Sequence, residues 1–413
     1  MKFKSDFLNE INQRGFIYQH VEIENLDRII SKNKITGYIG FDITSDSLHV
    51  GSLIQLMLLH WLDHYEHQSI ALIGGGTTLI GDPSGKDQTR KILSKIEIDK
   101  NINNIKKTFS RFINLENNSL IINNYDWLSN LNYIDFLRDF GSRITLNKML
   151  TFESVKSRLD REQPLTILEF NYMLLQAYDF FYLNKNHNCV LQMGGSDQWG
   201  NILSGVDLIK KINKKNAFGI TSPLITNADG SKMGKTADGA VWLNKEKISS
   251  LDFFQFWRNI NDKDVSRFLY LFTKIPLSEI KKLSTLKDQE INEAKKILAY
   301  EVTKIVRGKE DAEEALEITN NTFNSKIVDQ RLPNFSQNQN NLENNSFTIL
   351  DAIEKLGLVK SRSEIKRLIK SDGIKVNDEV YKKSDLSLKE YSGHKEIKIT
   401  VGKKKVGILK IFN

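Results

Sequence analysis

The chain has 413 residues, 40% apolar and 27% charged, which is core material for two to four domains. No run reaches the ~18 uninterrupted apolar residues of a membrane span, the first fifteen residues lack the apolar centre of a secretory signal, and the single cysteine, Cys189, excludes an intrachain disulfide and a thiolate metal cluster. A soluble cytoplasmic protein is expected. The net charge of +8 is uneven: residues 360–413 hold 15 Lys and Arg against 7 Asp and Glu, an excess equal to that of the whole chain. Such a tail points to an anionic partner, most simply nucleic acid, or else serves only solubility.

Residues 1–35 place Phe7, Leu8, Ile11 and Leu26, Ile29, Ile30 at helical spacing, so one or two helices are expected, interrupted at Gly15. An apolar strand over 36–41 then runs into a turn-prone cluster (Asp42, Thr44, Ser45, Asp46, Ser47). His49-Val50-Gly51-Ser52 opens an apolar helix expected to reach about Gln68. A helix N-terminus presents free N–H groups and a positive dipole end to a phosphate. Gly51 admits close approach of a ligand. Gly40 and Asp42 fall at the strand end, where open α/β sheets bind ligands. His60, His64 and His67 share a face of that helix, either as a metal stripe or, with no further His or Cys motif to complete it, as a solvent-facing polar stripe.

Residues 69–73 read as a buried parallel strand, followed by Gly74-Gly75-Gly76-Thr77-Thr78 and Gly81-Asp82-Pro83-Ser84-Gly85-Lys86. Leu79, Ile80 and Asp87 occupy positions that rule out a dinucleotide fingerprint or a Walker A loop. Two glycine clusters at a strand end, with Asp82, Lys86 and Arg90 nearby, favour a ligand loop over a simple surface turn. Residues 91–115 are expected to be helical and 120–122 to form a strand. Further helical patterns run to Phe140 and from Val155 to Leu168, with a boundary at Pro164. A helix over 170–179 sets Tyr172, Gln176 and Asp179 at i, i+4, i+7. Three polar groups on one face of an apolar helix need partners, either a polar ligand or internal hydrogen bonds.

Residues 188–193 form a further strand, ending in Gly194-Gly195-Ser196-Asp197-Gln198, where Asp197 is placed for a sugar hydroxyl pair. Strands alternating with helices predict a parallel sheet covered on both faces. Residues 220–245 lack helical periodicity and hold Lys232 and Lys235 between glycines, a mobile cationic loop suited to phosphates. The span 248–335 reads as helical throughout, anchored by Phe253, Phe254, Phe256 and Trp257. The stretch 336–345 (SQNQNNLENN) reads as a linker. From Phe347 two helices precede short strands.

His49-Val50-Gly51-Ser52 resembles the HIGH signature of class I aminoacyl-tRNA synthetases, and Lys232-Met233-Gly234-Lys235-Thr236 resembles their KMSKS loop. With Gly40-Phe41-Asp42, the Gly81–Lys86 run, the Tyr172/Gln176/Asp179 helix and Gly194–Gln198, nearly the whole chain is similar to bacterial-type tyrosyl-tRNA synthetases. The tail resembles their S4-like RNA-binding module. The resemblance implies a Rossmann-like parallel-sheet catalytic domain over 1–236, with a dimerisation insertion at about 125–168 and the lysine loop at 229–236. A helical anticodon-region domain over 237–335, the linker at 336–345 and a small α+β S4-like domain over 346–413 would follow.

It also implies an activity: tyrosine and ATP, with Mg²⁺ carried on the nucleotide, give tyrosyl-adenylate, and the tyrosyl group passes to tRNA(Tyr) in a cytoplasmic homodimer. Tyr38 and Asp179 would bind the substrate phenol, and Asp82, Tyr172 and Gln176 its ammonium group, with Gln198 near its carboxylate. Gly40, Asp42, Gly51, Ser52, Gly195 and Asp197 would hold the adenylate or ATP. Thr44 and His49 would meet the γ-phosphate, while Lys86, Arg90, Lys232, Lys235 and Thr236 surround the departing pyrophosphate. Ser52 replaces the second His of the signature, and Ile39 stands where some members carry a polar ribose contact; catalysis is expected to survive both. Rival readings are a tryptophanyl-tRNA synthetase and a non-catalytic RNA-binding protein with a synthetase-like body.

Overall fold

The computed structural model describes residues 2–81, 94–228, 230, 233–236, 239–324, 331–359, 361–402 and 405–412. They fall into two compact units, Met1–Lys309 and Glu310–Asn413. No helix among the described residues is long and apolar enough to cross a membrane.

The first unit is built on a six-stranded sheet: β1 (Gln19–Val21), β2 (Thr36–Asp42), β3 (Gln68–Gly74), β4 (Leu120–Asn123), β5 (Cys189–Gly195) and β6 (Phe218–Ser222). Their spatial order is β1-β6-β5-β2-β3-β4. The five strands from β6 to β4 are mutually parallel. β3, β5 and β6 are buried along almost their whole length, as strands covered on both faces are, with Gln192, Thr221 and Ser222 as buried polar exceptions to an otherwise apolar composition. β1 pairs antiparallel with β6, so the sheet is mixed, where the sequence pattern predicts a purely parallel one. Three residues with no apolar alternation give β1 no signal of its own.

The chain leaves β2 for β3 and β4 on one side and returns to β5 and β6 on the other. The sheet therefore reverses direction between β2 and β5, and a crevice opens at the carboxyl ends of these two strands.

The helix after β2, Leu53–His64, is buried all round at Leu53, Ile54, Leu56, Met57, Leu58, Leu59, Trp61 and Leu62. It stops short of Gln68 because Glu66 turns left-handed (φ +61°) and the His67 N–H bonds back to Leu62 O. The three histidines consequently form no stripe of either kind. His60 meets Phe112 O at 3.0 Å through Nδ1, and burial lowers its pKa to about 3. His67 lies beyond the helix, buried, where Nδ1 accepts the Ile35 N–H. Among the described residues there is no cluster of three metal-ligating side chains.

The helix predicted over 155–168 is interrupted by a turn at 161–166 before the long helix Ile167–His187. After β6, short strands β7 (Lys235–Thr236) and β8 (Gly239–Ala240) form a two-stranded antiparallel pair. Helices Ser250–Arg258, Asp262–Phe272, Leu277–Leu283 and Ile291–Arg307 complete the unit. Phe253, Phe254 and Trp257 are fully enclosed, and the Trp257 ring packs against Phe268 and Phe272. Phe256 is half-buried.

The second unit corrects the linker. Residues 334–338 form β9 (Asn334–Asn338), and 339–343 form a short helix. β9 pairs parallel with β13 (Lys405–Phe412) in a five-stranded sheet that also contains β10 (Ile374–Val376), β11 (Glu379–Val380) and β12 (Glu396–Val401). Leu342 is fully buried in a core with Phe347, Ile353, Ile365, Ile397 and Leu409. Backbone pairing needs no apolar side chain, so a polar strand carrying one buried leucine downstream looks like a linker in sequence. Helices Ile349–Lys355 and Arg362–Lys370 match the expected pair.

Candidate active site

A cleft of about 300 Å³ occupies the crevice at the ends of β2 and β5, at the lower end of the volumes of small-molecule sites. Tyr38, Gly40, Asp42, His49, Gly51, Ser52, Tyr172, Gln176, Asp179, Gly195, Asp197 and Gln198 all line it. Residues separated by up to 160 positions in sequence thus meet in one place. Ile39 lines it too. Thr44 lies on the exposed turn after β2 and is not among its lining residues. Asp82, Lys86, Arg90 and Lys232 lie outside the described residues. Lys235 and Thr236 form β7.

The helix start differs from the expected phosphate cradle. The Val50 N–H donates to Val241 O at 2.9 Å and the Ser52 N–H to His49 O at 2.8 Å. The Gly51 N–H donates to His49 Nδ1 at 2.9 Å. These N–H groups are already used. What the helix start offers instead is the imidazole. Its Nδ1 accepts the Gly51 N–H, and the ring lines the cleft. Gly51 is required because a Cβ there would come within 2.6 Å of His49 Cε1.

The first glycine cluster is also used internally. Gly75–Thr78 is a buried single helical turn, and the Gly75 and Gly76 N–H groups donate to Asn123 and Asn124 side chains. A Cβ on Gly75 would lie 2.3 Å from Asn123 Oδ1. Gly75 and Gly76 of this segment are thus held by internal hydrogen bonds, while Gly74 and Thr77 line the cleft.

At the floor of the cleft Asp179 is buried. Its Oδ1 accepts from Trp127 Nε1 at 2.8 Å and its Oδ2 from Asn124 Nδ2 at 2.9 Å. Burial raises its pKa to about 7; the two donors pull it down and the Asp42 charge pushes it up. Tyr38 is also buried, and its hydroxyl has no hydrogen-bond partner among the described residues. Burial, then the neighbouring Asp179, holds the Tyr38 phenol well above its ordinary pKa. Trp127 is fixed by stacking on Tyr182, with centroids 4.2 Å apart.

Higher in the cleft, Asp42 Oδ1 accepts from the Tyr172 hydroxyl at 3.2 Å and from Thr77 Oγ1 at 3.1 Å. Asn201, buried, donates through Nδ2 to Gln176 Oε1 at 2.7 Å and to Gln198 Oε1 at 3.0 Å. Asn124, Trp127 and Asn201 were not legible as site residues. The available signal was position: two follow the end of β4 and the third follows Gln198 by three residues. The arrangement offers an enclosed aromatic floor with an acid and a phenol, amide and carboxylate groups above it, and an imidazole at the rim.

A profile of the tRNA synthetases class I (W and Y) matches residues 31–324, and the S4 domain matches residues 349–390. A tyrosine–tRNA ligase of Pelagibacter ubique is 51% identical, over 97% of this chain and 98% of its own length. The chain belongs to the tyrosine–tRNA ligase family. A family member from a Wolbachia strain is 49% identical over 98% of this chain and 97% of its own. Among solved structures, a C-terminally truncated mitochondrial tyrosyl-tRNA synthetase of Aspergillus nidulans superposes with a TM-score of 0.70 at 28% identity, covering 77% of this chain and 94% of that one. A tryptophanyl-tRNA synthetase of Encephalitozoon cuniculi shares the fold (TM-score 0.56, 13% identity, 76% and 91% covered). The Rossmann-like body, the helical region and the S4 module expected from the resemblance are those of the family.

Proposed function

We propose that the chain activates tyrosine with ATP and charges tRNA(Tyr) through the cleft described above. The observation that carries this is the presence of Asp179 and the unpartnered Tyr38 hydroxyl side by side at the cleft floor. A phenol both donates and accepts. It satisfies the acid and the unpartnered Tyr38 hydroxyl together, whereas an indole N–H can only donate and a phenylalanine ring does neither. A site built to pair a substrate hydroxyl discriminates by about 10⁴–10⁵ against the analogue without it.

The tyrosine carboxylate attacks the α-phosphorus in line. A new P–O bond forms, the bond to the bridging oxygen of the β-phosphate breaks, and pyrophosphate leaves. The terminal ribose hydroxyl of tRNA then attacks the activated carbonyl and displaces AMP. No protein side chain forms a covalent bond; the work is positioning and charge stabilisation. Tyr38 and Asp179 take the phenol, Asp82, Tyr172 and Gln176 the ammonium group, and Gln198 the neighbourhood of the carboxylate. Gly40, Asp42, Gly51, Ser52, Gly195 and Asp197 hold the nucleotide. His49 and Thr44 serve the γ-phosphate. Lys86, Arg90, Lys232, Lys235 and Thr236 serve the leaving pyrophosphate and its Mg²⁺.

The first unit is the catalytic part, and the second unit, with its S4 domain and the basic stretch 360–413, holds RNA. A cytoplasmic homodimer fits the exposed apolar side chains concentrated between 133 and 168, among them Tyr133, Ile134, Leu146 and Ile167. Charging of bacterial tRNA with labelled tyrosine tests the proposal: ATP-dependent, tyrosine-specific esterification supports it, and none in the presence of active tRNA overturns it.

A further inference from the structure

A buried charge is costly unless it is paired and hydrogen-bonded. Asp264 and Arg307 are both buried, 3% and 6% exposed, and neither lines the cleft. Asp264 lies in the first turn of the helix Asp262–Phe272, and Arg307 ends the helix Ile291–Arg307. Asp264 Oδ2 accepts the Ala228 N–H at 2.9 Å, and its Oδ1 accepts from Arg267 at 2.8 Å. The same Arg267 guanidinium donates to Thr226 O. Arg307 donates to Trp242 O at 3.2 Å and to Ile248 O at 3.0 Å. Both buried charges are thus spent on one stretch of chain, at its beginning and at its end.

Between those anchors the stretch carries Lys235 and Thr236 in β7. Its backbone is fixed on either side of them: the Met233 N–H donates to Ile225 O at 3.2 Å and the Val241 N–H to Gly234 O at 2.8 Å. Gly234 has φ +81°, and a Cβ there would lie 3.3 Å from Gly51 N and 3.4 Å from Val50 Cβ. The stretch therefore packs on the helix start that follows His49, and the Leu243 N–H continues the contact by donating to Leu48 O at 2.8 Å. A strand held in this way is placed only as well as its ends are. Misplacement by about 1 Å, caused far from the reacting atoms, can cost about a hundredfold in rate.

We infer that Asp264, with Arg267, and Arg307 are positioning residues for tyrosine activation: they hold the two ends of the stretch that presents Lys235 and Thr236. The inference rests on reading those two residues as serving the leaving pyrophosphate. Asp264 and Arg307 act through the backbone at 226–228 and 242–248, so their effect falls on the rate of activation and leaves the tyrosine pocket alone. The sequence pattern gives no hint of it, since both charges belong to helices that follow the stretch they hold.

The test is tyrosine-dependent pyrophosphate exchange by the full chain, with kcat expressed per tyrosine-binding site so that unfolded protein does not count. Asp264→Ala removes both acceptors and should lower kcat about tenfold or more, while its KM for tyrosine stays within about twofold. Asp264→Asn keeps one carbonyl for the Ala228 N–H and should recover most of that loss. Arg267→Met alters a side chain that is 43% exposed, and so reports even if Asp264→Ala does not fold; it should lower kcat about threefold at an unchanged KM for tyrosine. In a Lys235→Ala background, followed in single turnovers, Asp264→Ala should cost a smaller factor than in the wild type, because the group it places is gone. The inference is overturned if Asp264→Ala and Arg267→Met keep the wild-type kcat, or if KM for tyrosine rises in step with any loss. It is also overturned if Asp264→Asn recovers nothing, or if the loss in the Lys235→Ala background equals that in the wild type. A wild type with no exchange at all overturns the enzyme reading and this inference with it. An active wild type with indifferent Asp264 and Arg267 overturns only the inference.

Discussion

Trp127 donates its indole N–H to Asp179 at 2.8 Å, from a ring held flat against Tyr182. Asp179 is thereby held as well as buried: one donor fixes each oxygen, and the residue lines the cleft. Trp127→Phe keeps the stack and removes the donor. We expect its KM for tyrosine to rise about tenfold, with KM for ATP unchanged and discrimination against phenylalanine reduced. Steady-state exchange with both amino acids measures this. An unaltered preference would mean that the acid needs no such support.

The same carboxyl makes tyrosine binding pH-dependent. Burial raises the Asp179 pKa to about 7, so near neutrality a fraction of the free protein holds it protonated. A substrate phenol donating to the carboxylate favours the ionised form. Binding should then release protons near pH 7 and release progressively fewer as the pH rises above the folded pKa. Calorimetry of tyrosine binding in buffers of different ionisation enthalpy measures this, and identical heats in all buffers would contradict it. The stability consequence has a definite sign. The folded pKa lies above the ordinary carboxyl value of 3.8. The folded state thus binds the extra proton between these limits, and stability from this group declines from about pH 4 to about pH 7. Asp179→Asn removes the titration, so its Tm relative to wild type should climb over that interval.

Arg14 ties the N-terminal helix Asp6–Gln13 to the end of the helix Asp262–Phe272. Its buried guanidinium donates to the carbonyls of Tyr270, Thr273 and Ile275, pairs with Glu10 at 2.7 Å, and lies over Trp61. A helix C-terminus leaves carbonyls unpaired, and a cation there suits both the hydrogen bonds and the dipole. Arg14→Ala would remove the donor from those oxygens and the cation from Glu10 together. Urea unfolding should report a loss of about 3 kcal/mol, as for other broken buried ionic contacts. A loss below about 1 kcal/mol, typical of a surface substitution, would contradict this account.

Leu342 decides between a linker and a folded element. It is fully enclosed in the core of the second unit. Leu342→Ala in the full chain should destabilise that unit by about 2–5 kcal/mol and speed amide exchange in β9 and β13. A change within about 0.5 kcal/mol, as expected in a free tether, would restore the linker.

Much of this was legible in the sequence, for physical reasons. Strands covered on both faces are mostly apolar, which made β2, β3 and β5 visible. Polar side chains on an apolar helix stand out at i, i+4, i+7, which revealed Tyr172, Gln176 and Asp179 on the face that lines the cleft. Other features carry no such signal. β1 and β9 pair through backbone alone. Asn124, Trp127 and Asn201 act through side chains that contact other side chains, so their meaning exists only once the strand order is known. The fate of the helix-start N–H groups depended on Val241 and on a ring folding back over Gly51. Neither contact has a local pattern.

The central claim is that the cleft between β2 and β5 activates tyrosine. Exchange of labelled pyrophosphate into ATP, run with tyrosine, with tryptophan and with no amino acid, tests it most directly. Exchange that requires tyrosine and is not supported by tryptophan is the expected result. Exchange driven by tryptophan, or none with any amino acid, would contradict it.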